Sequence, residues 1–129
     1  MVDDRYVREE LDKARDALTD AEALLAADGS TEGVVNRLYY AAFHAAQAVL
    51  YDRDVEPGSH GGVRNRFGEE LVLEGPATRE QGRLLTTLAD LRQQADYGYE
   101  PISADPGELH DRTRAFVEAM TDLVDAGTD

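Results

Sequence analysis

Nineteen consecutive residues without an acidic side chain, positions 33–51, constrain the fold of this chain more than any other feature. The chain has 129 residues, of which 27 are Asp or Glu. About four acids are therefore expected in this stretch, and random placement leaves it empty about 1% of the time. Apolar residues recur there at three- and four-residue steps, at Leu38, Ala41, Ala42, Ala45, Ala48 and Val49. The pattern predicts a helix buried on most sides, either at the centre of a bundle or shared between a core and a subunit interface.

Further helical segments flank this central helix. Apolar spacing, capping residues and helix-ending glycines predict a first helix over residues 4–27, a short third helix between Ser59 and Gly75, a fourth over 78–97 and a last from Pro106 to Gly127. No strand pattern competes with these segments, and no internal repeat is visible. The sequence therefore predicts an all-α fold, an up-and-down bundle of four long helices plus one short helix, as a single domain over residues 1–129.

The charge of the chain indicates its surroundings more than its partners. The formal net charge is −14, and Lys13 is the one lysine among 13 basic residues. This preference for Asp, Glu and Arg predicts an acidic, halophilic protein, since high salt screens the repulsion between like charges. In such salt the net charge says little about nucleic-acid binding, so only the local charge of a site is informative.

Several classes of protein are not supported by the sequence. Because there is no cysteine and the charged amino terminus precedes no apolar segment, we expect a cytoplasmic protein without disulfides. Polar residues interrupt the central apolar segment, which argues against a membrane span. His44, His60 and His110 lie on different predicted helices and lack the pairing typical of metal ligands, and no Walker loop or dinucleotide motif is present. We therefore expect no metal, no cofactor and no membrane partner.

Arg37 and His44 form the first candidate site. They are seven residues apart and share a face of the central helix, where a cation and an imidazole can bind a phosphodiester and move protons on it. The alternative is structural: Arg37 pairs with an acid on a neighbouring helix, and His44 is a hydrogen-bonded core histidine.

The start of the third helix is a second candidate site, for an anion. His60, Gly61, Gly62 and Arg64 stand together there, and the two glycines expose backbone N–H groups beside a histidine and an arginine. The alternative is that the glycines allow close packing at the start of a helix.

The end of the fourth helix holds the third candidate site. Arg92, Asp96, Tyr97 and Tyr99 follow one another within eight positions. The structural alternative is a local ion pair between Arg92 and Asp96, worth a few tenths of a kcal/mol, with the two tyrosines packed over the end of the bundle.

Three blocks of the sequence, taken together and in order, resemble the HEPN domain family, specifically its small stand-alone prokaryotic members. The blocks are NRLYYAAFHAAQAVL at 36–50, HGGV at 60–63 followed by Phe67, and RQQADY at 92–97. The resemblance covers roughly residues 5–125. It implies an α-helical bundle that forms a homodimer and acts with a minimal nucleotidyltransferase, and in many branches a metal-independent ribonuclease toxin.

The ribonuclease branch uses an arginine, then after four to six residues a histidine, often with a tyrosine two positions later. Arg92 matches the arginine, Tyr97 occupies the histidine position, and Tyr99 matches the tyrosine. Because Tyr97 replaces the side chain best suited to proton transfer at neutral pH, the resemblance leaves ribonuclease activity open. Arg37 and His44 have a similar spacing on an earlier helix. The resemblance also implies that Tyr99 is the residue a nucleotidyltransferase adenylylates.

Three functions follow from these observations. The first is a dimeric HEPN-type protein that binds nucleotide or RNA and works with a minimal nucleotidyltransferase in a toxin–antitoxin-like pair. The second is a ribonuclease, and the third is an interaction module without chemistry. The resemblance further implies that two 92–99 segments, which include Asp96, face each other in a dimer. Together with His60 or His44 they would line a locally positive cleft.

Overall fold

A computed structural model describes residues 2–126, which form five α-helices and one π-helical segment. In chain order these are α1 (Asp4–Ala26), α2 (Thr31–Asp52), α3 (His60–Arg66), the π-helix (Phe67–Leu73), α4 (Arg79–Tyr97) and α5 (Pro106–Ala126). No strand occurs within residues 2–126. The predicted all-α bundle of four long helices and a short one is confirmed. The predicted end of the last helix at Gly127 lies outside the described residues.

Polar side chains cap the starts of the long helices. The Asp3 carboxylate accepts a hydrogen bond from the Arg5 N–H, and the Ser30 hydroxyl accepts one from the Gly33 N–H at 3.0 Å. Thr78 forms a reciprocal capping box with the residue three positions later, and Asp105 accepts from the first turn of α5. Each contact satisfies backbone N–H groups that have no partner inside the helix, which fixes where these helices begin.

α2 lies at the centre of the bundle and packs against every other helix of residues 2–126. Twelve of its 22 residues are buried, and the alanines among them have no exposed surface. Burial within one chain therefore explains why this segment carries no acid, because a buried charge is costly without a partner. The packing supports the interpretation of α2 as the centre of the bundle. No helix of the described chain is long and apolar enough to cross a membrane.

The third helical segment is more complex than the short α-helix predicted from sequence. α3 continues directly into the π-helix, where Phe67 and Leu71 are fully buried beside Val63 of α3. These apolar residues recur at steps of four, and each such step overshoots an α-helical turn by about 40°. A wider π-helical turn keeps them on the buried side.

Candidate functional site

Arginine, histidine and aromatic side chains gather on one face of the bundle, where α2, α3 and α4 meet. We call this group the arginine–aromatic cluster, and it consists of Arg37, Tyr39, Tyr40, Phe43, His44, His60 and Arg92. Five of its members come from the acid-free segment of α2. His60 is the first residue of α3, and Arg92 comes from the last two turns of α4. The fold thus brings together one or more residues from each of the three candidate sites.

His60 is held against α2 by a hydrogen bond and by ring stacking. Its Nδ1 lies 2.9 Å from the Tyr39 hydroxyl, and its ring stacks on Phe43 with the centroids 4.1 Å apart. Burial, assisted by the positive charges of Arg92 and His44, lowers the pKa of the His60 imidazole. His60 is therefore neutral at pH 7 and able to accept a proton.

The Tyr39 hydroxyl keeps its proton throughout the physiological pH range. Tyr39 is only 2% exposed, and burial raises the pKa of its hydroxyl, while the charges of Arg92 and Arg64 act against that rise. Because Tyr39 stays neutral, its contact with His60 is a hydrogen bond between two uncharged groups. The pair fixes the position of the His60 ring beside Arg92.

Arg92 is held in place by an ion pair and by two tyrosine rings. Its Nη1 donates to the Asp96 carboxylate at 3.1 Å, so the predicted local ion pair is present. Its guanidinium also lies 4.8 Å from the centroid of the Tyr39 ring and 6.0 Å from that of Tyr40. Among residues 2–126 it makes this one ion pair, which leaves Nη2 without a partner there, and its Nε is buried without a hydrogen-bond partner.

Arg37 contacts its own helix rather than an acid on a neighbouring one. Its Nε and Nη2 donate to the Asn36 side-chain oxygen at 3.1 and 2.8 Å, and its guanidinium lies 5.2 Å from the Tyr40 ring centroid. In the described chain it forms no ion pair with an acid. Arg37 and His44 line one groove of 270 Å³, on either side of Tyr40. The expected shared face is therefore present, and the interhelical ion pair is not.

His44 is joined to Glu10 of α1, a residue that the sequence analysis did not single out. Its Nδ1 lies 2.5 Å from a Glu10 carboxylate oxygen. Burial by itself raises the pKa of the Glu10 carboxyl, but the hydrogen bond and charge of His44 outweigh it and lower that pKa below its ordinary value. The signal in the sequence was an acid between Val7 and Leu11 on the buried face of α1.

Replacing Glu10 with glutamine is expected to destabilise the fold by about 1–3 kcal/mol at pH 7, because it removes a charged partner from a buried hydrogen bond. A lowered folded-state pKa stabilises the protein above the unfolded value, and this contribution is lost as the pH falls through the folded-state value. The difference between Glu10→Gln and the wild type should therefore shrink below about pH 4.3, the unperturbed glutamate value.

Urea unfolding from pH 3 to 7 at constant salt measures this difference. The matched control is Glu9→Gln, which removes the same charge from the exposed neighbouring position. A Glu10→Gln penalty that stays the same across the pH range would show that Glu10 does not act through its charge.

The glycines at the start of α3 have different surroundings. The Gly62 N–H already donates to the Ser59 hydroxyl at 2.9 Å, and a Cβ added at Gly62 would lie 3.2 Å from that oxygen. A Cβ at Gly61 would meet only the Arg64 guanidinium, at 3.9 Å. Gly62 thus fits the packing alternative, and its N–H is not open to an anion. The Nε of Arg64 is buried without a hydrogen-bond partner in the described chain.

Tyr97 and Tyr99 are exposed at the end of α4 and just beyond it. Tyr97 is 74% exposed, Tyr99 is 102% exposed, and neither takes part in a ring contact within residues 2–126. Tyr97 ends α4, and Gly98 follows it as the cap. The two tyrosines therefore do not pack over the end of the bundle, and their rings and hydroxyls are open to solvent.

Comparison with known proteins places this site in context. A family model described as "HEPN domain" matches residues 7–124. A protein of Thermotoga maritima named "UPF0332 protein" is 29% identical over 116 residues, which is 88% of this chain and 86% of that protein.

Two similar proteins of Methanocaldococcus jannaschii carry toxin names. The one named "Putative toxin MJ0605" is 43% identical over 63 residues, covering 49% of this chain and 47% of that protein. The one named "Putative toxin MJ0142" is 29% identical over 96 residues, covering 72% of this chain and 65% of that protein.

Proposed function

This chain belongs to the HEPN domain family, and from that premise we propose that it is the toxin-type member of a toxin–antitoxin-like pair. In this proposal it forms a homodimer, binds RNA or a nucleotide and acts with a minimal nucleotidyltransferase. The toxin names of two similar proteins support this class of function.

The observation that carries the proposal is the position of Arg92. Its guanidinium lies over Tyr39, next to the neutral His60, and the ion pair with Asp96 engages only one of its two terminal nitrogens. A guanidinium in this setting can bind a phosphate through two parallel N–H···O bonds, and the neighbouring rings can stack on a base. Arg64 adds positive charge that acts on the Tyr39 hydroxyl, whereas Asp16 and Asp20 line the groove of Arg37 and offset its charge there.

The exposed tyrosines suit contact with a partner protein. Tyr99 is the candidate for adenylylation because its hydroxyl is fully exposed two residues after α4 ends, with Tyr97 next to it. In that reaction the Tyr99 hydroxyl oxygen attacks the α-phosphorus of ATP, the hydroxyl proton passes to solvent, and pyrophosphate leaves. The new phosphodiester adds a negative charge seven residues after Arg92, and this charge would weaken RNA binding by repulsion.

A second candidate function is metal-independent RNA cleavage, favoured by the contact between Glu10 and His44. A carboxylate that orients an imidazole is a common arrangement in proton transfer, and Arg37 lies in the same groove to stabilise a phosphorane. His60 beside Arg92 is the alternative base. If the chain neither binds RNA or a nucleotide nor cleaves RNA, the third alternative applies, an interaction module without chemistry.

Two measurements on the purified chain and one in growing bacteria test the proposal. We expect light scattering to give a dimer in molar salt, and fluorescence anisotropy to detect binding of a labelled single-stranded RNA at the lowest salt that preserves the helical circular dichroism spectrum. Expression of the chain alone should slow bacterial growth, and co-expression of a minimal nucleotidyltransferase encoded beside it should relieve this effect.

Each alternative gives a distinct result. RNA shortened in the presence of EDTA establishes the ribonuclease, and loss of cleavage in Glu10→Gln and His44→Ala assigns it to that pair. A chain that stays monomeric, binds no RNA or nucleotide and leaves growth unchanged would refute the proposal and leave the interaction module.

A further inference from the structure

A second basic surface lies between the π-helix and the first half of α4. It is an open groove of 450 Å³, which we call the arginine groove, and the residues used below are Arg64, Gly68, Arg79, Arg83, Thr86 and Thr87. No residue that lines it is acidic. On a chain with 27 acids among 129 residues, a groove with three arginines and no acid is a local reversal of charge.

The three arginines of the groove lack ion-pair partners. Arg64, Arg79 and Arg83 form no ion pair with any acid in residues 2–126, whereas the neighbouring Arg66 pairs with Glu69 and Glu70. The Nε of Arg64 is buried and has no hydrogen-bond partner in that part of the chain. Ion pairing with the chain's own acids therefore does not account for this concentration of positive charge.

One of the arginines also lies where a helix is least favourable for a cation. Arg79 is the first residue of α4, at the positive end of the helix dipole, whereas Arg83 lies beyond the first turn, where the effect of the dipole has faded. A cation at position 79 costs stability instead of adding to it. A residue that is unfavourable for helix stability at its position is typical of a binding site.

We propose that the arginine groove binds the phosphodiester backbone of single-stranded RNA. Guanidinium groups bind phosphates with two parallel hydrogen bonds, and the hydroxyls of Thr86 and Thr87 can donate to further phosphate oxygens. A groove that is open along its length suits a chain of phosphates better than it suits a single phosphate group. The inference rests on the proposed function, in that RNA is the ligand, but the groove is separate from the arginine–aromatic cluster.

Arg64 connects the two surfaces. It lines the groove, and its charge acts on the Tyr39 hydroxyl inside the cluster. Along α4, the 13 residue steps from Arg79 to Arg92 span about 20 Å, which leaves room for several nucleotides. An RNA strand that follows α4 would place its backbone in the groove and a base against the rings of the cluster, the combination by which proteins bind single strands.

The test is binding of a labelled single-stranded RNA oligonucleotide to the full chain, by anisotropy over a range of salt concentrations. The double variant Arg79→Gln/Arg83→Gln should bind at least 10-fold more weakly, and its slope of log affinity against log salt should be shallower by about 1.4, or 0.7 for each arginine lost. Gly68→Glu should also weaken binding, since a Cβ there meets no atom within 4 Å and the change adds a negative charge.

Two controls separate binding from folding. Arg15→Gln removes the same charge from α1, which contacts neither α4 nor the π-helix, and should bind like the wild type. The melting temperature of Arg79→Gln/Arg83→Gln should be unchanged or slightly raised, because neither arginine has an ion pair within residues 2–126 and Arg79 opposes the helix dipole.

The outcomes distinguish the groove from the proposed function. If Arg92→Ala weakens RNA binding and the groove variants do not, the groove inference is overturned and the proposed function stands. If only the groove variants weaken binding, the inference stands and the cluster is not the RNA site. A wild type that binds no RNA overturns both. A mononucleotide or an acidic peptide of matched charge could also displace the labelled RNA. If either does so at the same concentration as unlabelled RNA, the assignment of the groove to an RNA backbone is overturned.

Discussion

Replacing Arg92 with alanine is expected to weaken binding of single-stranded RNA by about 1.5–3 kcal/mol, the scale of a charged hydrogen bond. This corresponds to roughly 10- to 160-fold in affinity. The helical circular dichroism spectrum should not change. The contact of Arg92 with Tyr39 contributes about 0.5–1 kcal/mol to folding stability, and its ion pair with Asp96 contributes about 0.3–0.5 kcal/mol. Together these contributions are small beside the stability of a domain.

The matched variant is Asp96→Asn, which removes the acid and leaves the guanidinium in place. If Arg92 binds a phosphate, Asp96→Asn should strengthen RNA binding because it frees a donor and removes a negative charge, whereas Arg92→Ala weakens it. If the pair is only structural, both variants should lose a similar small amount of stability and neither should change binding. Unfolding of Arg92→Ala with unchanged affinity in the folded fraction would make this arginine structural.

Phe67→Ala is expected to destabilise the fold by about 3–5 kcal/mol, the usual range for loss of a buried phenylalanine. Phe67 is fully buried at the first position of the π-helix, and its ring centroid lies 5.7 Å from that of Phe116 on α5. The substitution leaves a cavity at the point where the third helical segment meets the core. A loss of this size is a large part of the 5–15 kcal/mol that holds a domain together.

Urea unfolding at constant salt, followed by circular dichroism, measures this loss. Leu73→Ala is the control on the same π-helix, because Leu73 is 76% exposed and its truncation should change stability by less than about 0.5 kcal/mol. Similar midpoints for the two variants would mean that the π-helix does not pack on the core as described. Phe67→Leu, which keeps most of the apolar volume, should recover most of the lost stability.

The sequence was sufficient for the helices because their signals are local. Apolar spacing, caps and glycines act over one or two helical turns, so Ser30, Thr78 and Pro106 could be recognised as starts without tertiary information. The absence of acids from α2 was informative for the same reason, since burial excludes unpaired charge wherever the partners come from. The family resemblance needed that segment together with the blocks at 60–63 and 92–97.

The site was only partly accessible because it depends on contacts between distant residues. Arg92 and His60 were candidates by sequence, but nothing in the sequence indicated that Tyr39 would hold both of them. The partner of His44 is Glu10, 34 positions earlier, and the arginine groove joins residues from three segments. The π-helix was missed because apolar residues at steps of four fit an α-helix and a π-helix alike over so short a segment.

The central position of α2 has a consequence for how the molecule opens. Every other helix of residues 2–126 rests on α2, so its backbone amides become accessible only when the whole bundle separates, and they should be among the last to exchange with deuterated water. The end of α4 is different, because Tyr97 and Tyr99 are exposed at a helix terminus that can fray at little cost. A modifying enzyme can therefore engage that terminus without disturbing the slow-exchanging core.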